Sequence, residues 1–277
     1  MTGPNPKKNA QDAKGGIEIL EEAVELLRQA PLSSLAAYYL GSVPFGLGFL
    51  HFWSDMCRSS LAYQNISQEA FGVAFLFLWM KIWQTVFTRV LWLHLAHGQE
   101  ASWTLGRFIK TALLQAAIHP WGFLAIPVAG LVLLPFAWVY AFFQNVTVMG
   151  EGSLTSLKEL RRKSWGLSKL WPRQNHMALL CASGFGLFVF LNLESALYIG
   201  PLLMKELLGI ETVFSRSFYS LFNTTYLALG FMLTYLCVDP ILKAVYTLRC
   251  FYGESLYSGE DLKADLKAAS TPAAVLR

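Results

Sequence analysis

The chain has 277 residues, of which 55% are hydrophobic and only 14% are charged, and its mean hydropathy is +0.42. Soluble domains carry about 25% charged residues, so this composition excludes an ordinary soluble domain and is typical of an integral membrane protein. The net charge of +4 gives no indication of a nucleic-acid partner. The four cysteines have no CxxC spacing, so neither a metal site nor a redox cofactor is predicted.

The N-terminal part of the chain is polar at first and then amphipathic. Residues 1–16 lack the apolar stretch and cleavage site of a secretory signal, and we expect them to be disordered. A helix is predicted over 17–30, because apolar residues such as Ile17 and Leu20 recur at spacings of three and four opposite a charged face. Being short and half charged, this helix is expected to lie in the membrane interface.

A single membrane domain over 17–250 is predicted to contain about six apolar spans. The third and fourth come from one apolar region that is too long for a single ordinary helix, and we divide it at 126–130, where a proline and a glycine favour a turn. A second amphipathic surface helix is predicted over 153–170, where Ser156 and Glu159 have capping-box spacing. The spans cover about 33–53, 70–96, 107–127, 130–149, 176–203 and 218–249, and a polar tail follows over 251–277.

Basic residues decide between this arrangement and an alternative with five spans, in which 111–149 crosses once. With six spans and both termini in the cytoplasm, the outer loops contain only Arg58, Lys205 and Arg216 as strong bases. Five spans would place either the N-terminal bases or those of the second surface helix outside, against the positive-inside tendency. The sequence therefore predicts six spans in a bacterial inner membrane, with amphipathic helices on the cytoplasmic side.

Ionisable side chains inside spans are the main candidates for a site, because each costs about 2.5 to 3.5 kcal/mol on insertion scales unless it is paired or hydrated. Counting residues from the span ends places Lys81 and Glu194 at a similar depth, where they are predicted to pair. Arg89 and Asp239 are predicted to pair near the inner boundary, with Lys243 as a competing partner of Asp239. Two interpretations remain open: structural pairs that hold spans two, five and six together, or an ion path or lipid-headgroup cleft.

Pro240 is the candidate hinge of the last span. It lacks an amide hydrogen and frees the carbonyl of Leu236, which favours a kink that is either structural or a hinge. The sequence contains no HExxH, no G-x-S-x-G and no glycine-rich phosphate loop. No catalytic residue and no metal ligand is therefore predicted.

The second surface helix presents a basic face toward the cytoplasm. Two interpretations fit this face and are compatible with each other. One is contact with anionic lipid headgroups or a protein partner, and the other is determination of the topology. Each base contributes about 1 kcal/mol near an anionic membrane surface. The residues are Lys158, Arg161, Arg162, Lys163, Lys169 and Arg173.

The stretch Gly150-Glu151-Gly152-Ser153 and the later Leu160-Arg161-Arg162-Lys163-Ser164-Trp165 resemble a group of bacterial six-span membrane proteins. This group includes the membrane domain of glycerophosphoryl diester phosphodiesterases and related uncharacterised membrane proteins. The chain departs from the pattern at 158–159, where the group more often has a small residue. The resemblance implies the fold and no activity, because the catalytic domain of those enzymes is a separate barrel that this chain does not contain.

The sequence thus predicts an all-α, polytopic transmembrane helical bundle. The expected function is that of a non-enzymatic membrane component or scaffold that contacts lipid, a membrane protein or a cytoplasmic partner. The alternative is a small-solute or lipid transporter that uses the charged residues of spans two, five and six. An intramembrane enzyme is the third class, and no nucleophile and base are recognisable together.

Overall fold

The computed structural model describes residues 14–98, 103–132, 135–151, 156–212 and 223–259, together with 262, 263 and 266. Within these residues every regular element is a helix, as the composition predicts. Most of the predicted polar lead and tail, and the start of the predicted span over 218–249, lie outside the described residues. The helices are α1 (Gly16–Gln29), α2 (Leu32–Arg58), α3 (Ala62–Leu95), α4 (Leu105–Ile118), α5 (Gly122–Val132), α6 (Phe136–Met149), α7 (Leu157–Ser168), α8 (Pro172–Leu208) and α9 (Thr224–Ser258), with a 3-10 turn over His119–Trp121.

Five helical segments of the described chain are long and apolar enough to cross a membrane. Their outer faces carry large exposed apolar side chains, such as Phe188 and Leu191 on α8, which suit a lipid environment. The chain is therefore an all-α protein with helices of membrane-spanning length. The five segments are Leu32–Arg58, Ala62–Leu95, Leu105–Val132, Pro172–Leu208 and Thr224–Leu256.

The long helices extend beyond the apolar stretches from which the spans were predicted. α3 begins at Ala62 and not at residue 70, and α8 ends at Leu208 and not at residue 203. Hydropathy detects the lipid-facing part of a helix, whereas backbone hydrogen bonding continues through polar turns such as 63–69. Depths counted from the predicted ends are therefore wrong by one to two helical turns.

The predicted turn at 126–130 is wrong. α5 continues through Pro127 to Val132, and α6, which begins at Phe136, packs back against it. A proline inside a membrane helix is tolerated where neighbouring groups satisfy the freed backbone, so it is a weaker turn signal here than in water. Pro135 lies at the N-cap of α6, a position where its missing amide hydrogen removes no helical bond.

The segment from α4 to α6 returns to the side from which it starts. Arg107, near the start of α4, donates from Nη2 to Oε2 of Glu151 at 2.8 Å, just after the end of α6. Its Nε also donates to the Glu151 carbonyl oxygen at 3.3 Å. Since the two ends touch, α4 and α5 run out in one direction and α6 runs back.

α9 is the central helix, and it packs against α1, α2, α3, α6, α7 and α8. α2 and α3 also approach each other closely. A Cβ atom added at Gly41 would lie 2.5 Å from Cβ of Trp83, so only glycine fits this contact. The bundle therefore places α2, α3 and α6 around one face of α9.

The apolar face of α1 is covered by protein and not only by lipid. Ile19, Ala23 and Leu26 are buried in a cluster that includes Ala178 of α8 and Leu248 of α9. The position of α1 in the membrane interface stays a prediction. The same spacing of apolar residues suits a lipid surface and a protein groove equally, so the sequence could not distinguish them.

Two prolines inside helices free carbonyls that aromatic donors then satisfy. Pro240 frees the carbonyl of Leu236, as predicted, and this oxygen accepts a hydrogen bond from Tyr39 Oη at 3.4 Å. Pro44 likewise frees the carbonyl of Leu40, which accepts from Trp79 Nε1 at 3.1 Å. α9 is assigned as helix without interruption through Pro240. The hinge role of this proline stays a prediction.

Candidate functional site

Polar side chains from four helices meet around the middle of α9. Tyr235, Asp239 and Lys243 recur every four residues and therefore lie on one face of this helix. Side chains from α2, α3 and α6 contact this face. We call the group of Tyr38, Lys81, Gln84, Gln144, Tyr235, Asp239 and Lys243 the central polar cluster.

Asp239 is the acceptor at the centre of this cluster. Its Oδ2 accepts hydrogen bonds from Tyr38 Oη at 2.9 Å and from Gln84 Nε2 at 3.0 Å. Its Oδ1 lies 3.4 Å from Nζ of Lys243, the competing partner that the sequence indicated. The carboxylate is only 4% exposed and is compensated by one ammonium and two neutral donors.

The ammonium group of Lys243 is paired with side chains of the protein. Its Nζ donates to Oε1 of Gln144 at 2.5 Å in addition to its ion pair with Asp239. The residue is 1% exposed. A lysine this deeply buried is tolerated because its charge has a carboxylate partner at helical spacing.

Lys81 is placed differently. Its Nζ donates to Oε1 of Gln84 at 2.9 Å and lies 5.4 Å from the ring centroid of Phe77. Among the described residues it forms no ion pair, whereas the nearby carboxylate of Asp239 is paired with Lys243. The cluster therefore contains two ammonium groups and one carboxylate, a formal surplus of one positive charge.

A cavity of about 350 Å³ adjoins the cluster and is bounded by α2, α3, α5, α6 and α9. Its volume lies in the range of small-molecule sites, which combine apolar walls with a few polar groups. Lys81 is partly exposed, and its side chain lines this cavity. The other polar or ionisable lining residues are His119, Tyr140, Gln144, Tyr235, Asp239 and Lys243, and the remaining wall is apolar or aromatic.

The predicted pair of Lys81 and Glu194 does not form. Glu194 on α8 packs against Gly230 of α9, nine residues before Asp239 and therefore about 13 Å away along the helix at 1.5 Å per residue. The prediction placed both residues at one depth because it counted from span ends that the helices extend past. Oε1 of Glu194 is buried and has no hydrogen-bond partner among the described residues.

The predicted pair of Arg89 and Asp239 does not form either. Nε of Arg89 lies 2.7 Å from Oε2 of Glu151, the same oxygen that Arg107 contacts at 2.8 Å. These three side chains connect α3, α4 and the end of α6. The sequence placed Arg89 near the inner boundary but gave no signal that Glu151, an isolated acid in a glycine-rich turn, was its partner.

A second group of buried polar residues lies one to two turns further along α9. Tyr246 Oη donates to Oδ1 of Asn175 at 2.8 Å, and Arg249 Nη2 donates to the Leu170 carbonyl at 2.8 Å. Cys250 Sγ lies 3.2 Å from Oδ1 of Asn145. We call this group the inner polar layer, and it comprises Asn145, Gln174, Asn175, Tyr246, Arg249 and Cys250.

The three amide side chains of the inner polar layer each use both their oxygen and their nitrogen. Gln174 accepts from Arg249 and donates to the Lys14 carbonyl at 2.9 Å. Asn175 donates to the Ala137 carbonyl at 2.7 Å, and Asn145 donates to the Ser164 carbonyl at 3.1 Å. Sequence reasoning missed these residues. The signal that could have revealed them is the polar spacing that continues along α9 from Asp239 and Lys243.

The basic face of α7 is exposed, except for Lys163, which is half-buried and pairs with Glu254 at 3.4 Å. Ser156 caps the helix by accepting a hydrogen bond from the Glu159 amide at 3.2 Å, as the capping-box spacing predicts. The first residues of the predicted surface helix lie outside the described chain. The exposed bases are Lys158, Arg161 and Arg162 on α7, Lys169 at its C-cap and Arg173 in the first turn of α8.

The described residues contain no group of three or more His, Cys, Asp or Glu side chains that could hold a metal ion. Comparison of the chain with family models, with curated proteins and with solved structures finds no match in any of the three. The resemblance to six-span bacterial membrane proteins therefore stays a prediction. Function has to be argued from the central polar cluster and its cavity.

Proposed function

We propose that this multi-pass membrane protein binds the phosphate group of a small solute or lipid in its central cavity, as the binding site of a transporter. The observation that carries the proposal is Lys81, an ammonium group that lines the cavity while the only carboxylate of the central polar cluster is paired with Lys243. This favours the transporter alternative over the scaffold. The scaffold function has no observation specific to it and stays a prediction.

The charge balance explains why an anion is the ligand. An ammonium group inside a membrane helix costs about 2.5 to 3.5 kcal/mol on insertion scales unless it is paired or hydrated. The cavity gives Lys81 room for a partner that the protein does not provide in the cluster. An anion bound there neutralises the surplus charge, whereas a cation would add to it.

The arrangement of donors favours phosphate over carboxylate. Lys81, Tyr140 and Gln144 line the cavity from two different helices, α3 and α6. Phosphate has more acceptor oxygens than a carboxylate and can therefore contact donors on several sides of the cavity at once. Lysine also binds phosphate as a point charge without the planar geometry that arginine requires.

We also propose six crossings, with both termini and the basic face of α7 on the cytoplasmic side of a bacterial inner membrane. The contact between Arg107 and Glu151 supports an even number, because a single crossing over 105–149 would separate these residues by the membrane. α6 has 14 residues and is only about 21 Å long, but most of its side chains are buried by protein. In this arrangement the exposed bases of α7 contact anionic headgroups or a cytoplasmic partner.

The test is the binding of methyl phosphate to the purified protein in a neutral detergent, measured by calorimetry. We expect the wild type to bind and Lys81→Gln to bind at least tenfold more weakly, a difference of about 1.4 kcal/mol or more. Lys263→Gln removes an exposed lysine that follows α9 and is the matched control, which should bind as the wild type does. Absence of binding to the wild type, or equal binding by Lys81→Gln, would refute the proposal.

A further inference from the structure

An apolar groove continues outward from the central cavity between α2 and α9. It has a volume of about 480 Å³ and is lined by side chains that include Phe49, Trp53, Leu227 and Phe231. Tyr235 lines both the groove and the central cavity. One residue of the central polar cluster therefore forms the boundary between a polar chamber and an apolar one.

The two spaces are also continuous along α2. Phe45 lines the cavity and Phe49, one turn further along, lines the groove, and their ring centroids are 6.2 Å apart. On α9 the groove extends from Tyr235 back to Thr224, eleven residues or about 16 Å of helix. Phe231 is 62% exposed, so the groove faces the surface on which lipid packs.

We infer that the ligand is a single-chain amphiphile, with its phosphate headgroup at Lys81 and its hydrocarbon chain in the groove between α2 and α9. This inference rests on the proposed phosphate site and names the class of molecule that carries the phosphate. The positive charge in the cavity complements the headgroup, and the apolar lining of the groove complements the chain. A free hydrophilic phosphate would leave the groove without an occupant of its own.

The cavity on the other side of the cluster is less suited to a second chain. The cavity of about 260 Å³ on the other side of Tyr235 and Asp239 lies between α6, α8 and α9. It adjoins the carboxylate of Asp239 and not Lys81, and the hydroxyl-bearing residues Ser183 and Thr234 line it. A negatively charged headgroup bound at Lys81 therefore places its chain in the groove between α2 and α9.

The headgroup determines whether the ligand binds, and the groove determines where its chain lies. A chain that leaves the hydrocarbon of a bilayer for an apolar groove exchanges one apolar environment for another, so it gains little hydrophobic free energy. Chain length should accordingly have little effect on affinity from the membrane. The position of the chain is therefore the property to measure.

The experiment uses the full chain in nanodiscs of zwitterionic lipid and dodecyl phosphate with a photoreactive diazirine at the end of its chain. After irradiation, labelled peptides are mapped by mass spectrometry. We expect the label on the segments that contain Phe49, Trp53 and Leu227. Labelling should fall at least tenfold in Lys81→Gln and remain unchanged in Lys263→Gln.

The variant Ala228→Phe tests the groove independently of the phosphate site. Ala228 lines the groove, so the larger ring should displace the chain and reduce labelling, while the binding of methyl phosphate stays as in the wild type. Gly184→Phe is the control, because a side chain at Gly184 meets open space on α8. Labelling spread evenly over the lipid-facing helices, or unaffected by Lys81→Gln, would overturn the inference. Retained binding of methyl phosphate would then show that the proposed phosphate site itself survives.

Discussion

The central polar cluster and the inner polar layer lie on the same helix and differ in what their side chains contact. In the inner polar layer, Arg249 donates to Gln174 and to the Leu170 carbonyl. Each amide side chain of this layer forms hydrogen bonds through both its oxygen and its nitrogen. In the central polar cluster, Asp239 and Lys243 satisfy each other, while Lys81 lines a cavity. Each region contains one positive charge without a carboxylate of its own, Arg249 in the inner polar layer and Lys81 in the central polar cluster, and only the charge of Lys81 lies beside empty space.

This difference separates a structural role from a binding role. A fully bonded polar network stabilises one arrangement of helices and offers a ligand nothing to complete. An ammonium group beside a cavity destabilises the folded protein until an anion binds, so the stability of the protein depends on the ligand. The same substitution should therefore have different consequences in the two regions.

The largest effect is expected from Asp239→Asn. This change leaves Lys243 buried without its carboxylate and should lower the free energy of unfolding by about 3 to 5 kcal/mol. Unfolding in mixed micelles with a denaturing detergent measures the loss. The double variant Asp239→Asn with Lys243→Gln should recover part of it, and failure of the double variant to do so would show that the pair is not the reason for the loss.

Arg249→Gln should have the next largest effect and acts in the inner polar layer. It removes charge-assisted hydrogen bonds to Gln174 and to the Leu170 carbonyl, which are worth about 1.5 to 3 kcal/mol. The binding constant for methyl phosphate should stay unchanged in the fraction that remains folded. Weaker binding in this variant would contradict the assignment of the layer to structure alone.

A matched pair of tyrosine substitutions compares the two regions directly. Tyr38→Phe removes a donor from the carboxylate of Asp239 and should cost about 1.5 to 3 kcal/mol, because the acceptor is charged. Tyr246→Phe removes a donor from the neutral amide of Asn175 and should cost about 0.5 to 1.5 kcal/mol. Equal losses, measured by the same unfolding assay, would mean that the central carboxylate is not ionised.

The smallest effect is expected outside the spans, at Lys14. Partial burial lowers the pKa of Lys14, but hydrogen bonds to Glu22 at 2.7 Å and to Tyr252 at 2.8 Å outweigh it, and the pKa lies above its ordinary value of 10.5. Because the folded pKa is raised, the ion pair stabilises the docking of α1 below pH 10.5 and the contribution is lost as the pH rises through the folded pKa.

The distance between spin labels on α1 and α8 reports this docking. It should broaden above pH 10.5 in the wild type, whereas Lys14→Gln should show the broader distribution already at neutral pH. A Lys14→Gln variant with the narrow distribution of the wild type would show that the ion pair does not hold α1 in place. Phosphate binding should be unaffected in either case, since none of the residues that line the central cavity belongs to α1.

The sequence was sufficient for the class of fold and for part of the site. Lys81, Asp239 and Lys243 stood out because an ionisable group inside an apolar stretch is expensive, and the spacing of Asp239 and Lys243 indicated their contact. The other pairings depended on helix ends and on helix rotation, which apolar periodicity does not determine. Lys81 and Glu194 were assigned to one depth for this reason and lie on different levels.

Other members of the site have weaker signals in the sequence. Gln84 and Gln144 are uncharged, so the cost of an ionisable group inside a span does not reveal them. The turn was assigned to 126–130 because proline breaks helices in water, whereas α5 passes through Pro127 and ends at Val132. The apolar groove depends on the spacing between α2 and α9 and has no signature in either helix alone.

The free energy of unfolding of Lys81→Gln, with and without methyl phosphate, tests the central claim most directly. Without the ligand, the variant should be at least as stable as the wild type, because it removes a charge that lacks a carboxylate partner in the cluster. At a concentration of 100 times Kd, the wild type should gain about 2.7 kcal/mol and the variant almost nothing. A variant that is less stable without the ligand and still gains the full increment would show that Lys81 is a structural residue and that the cavity is not a phosphate site.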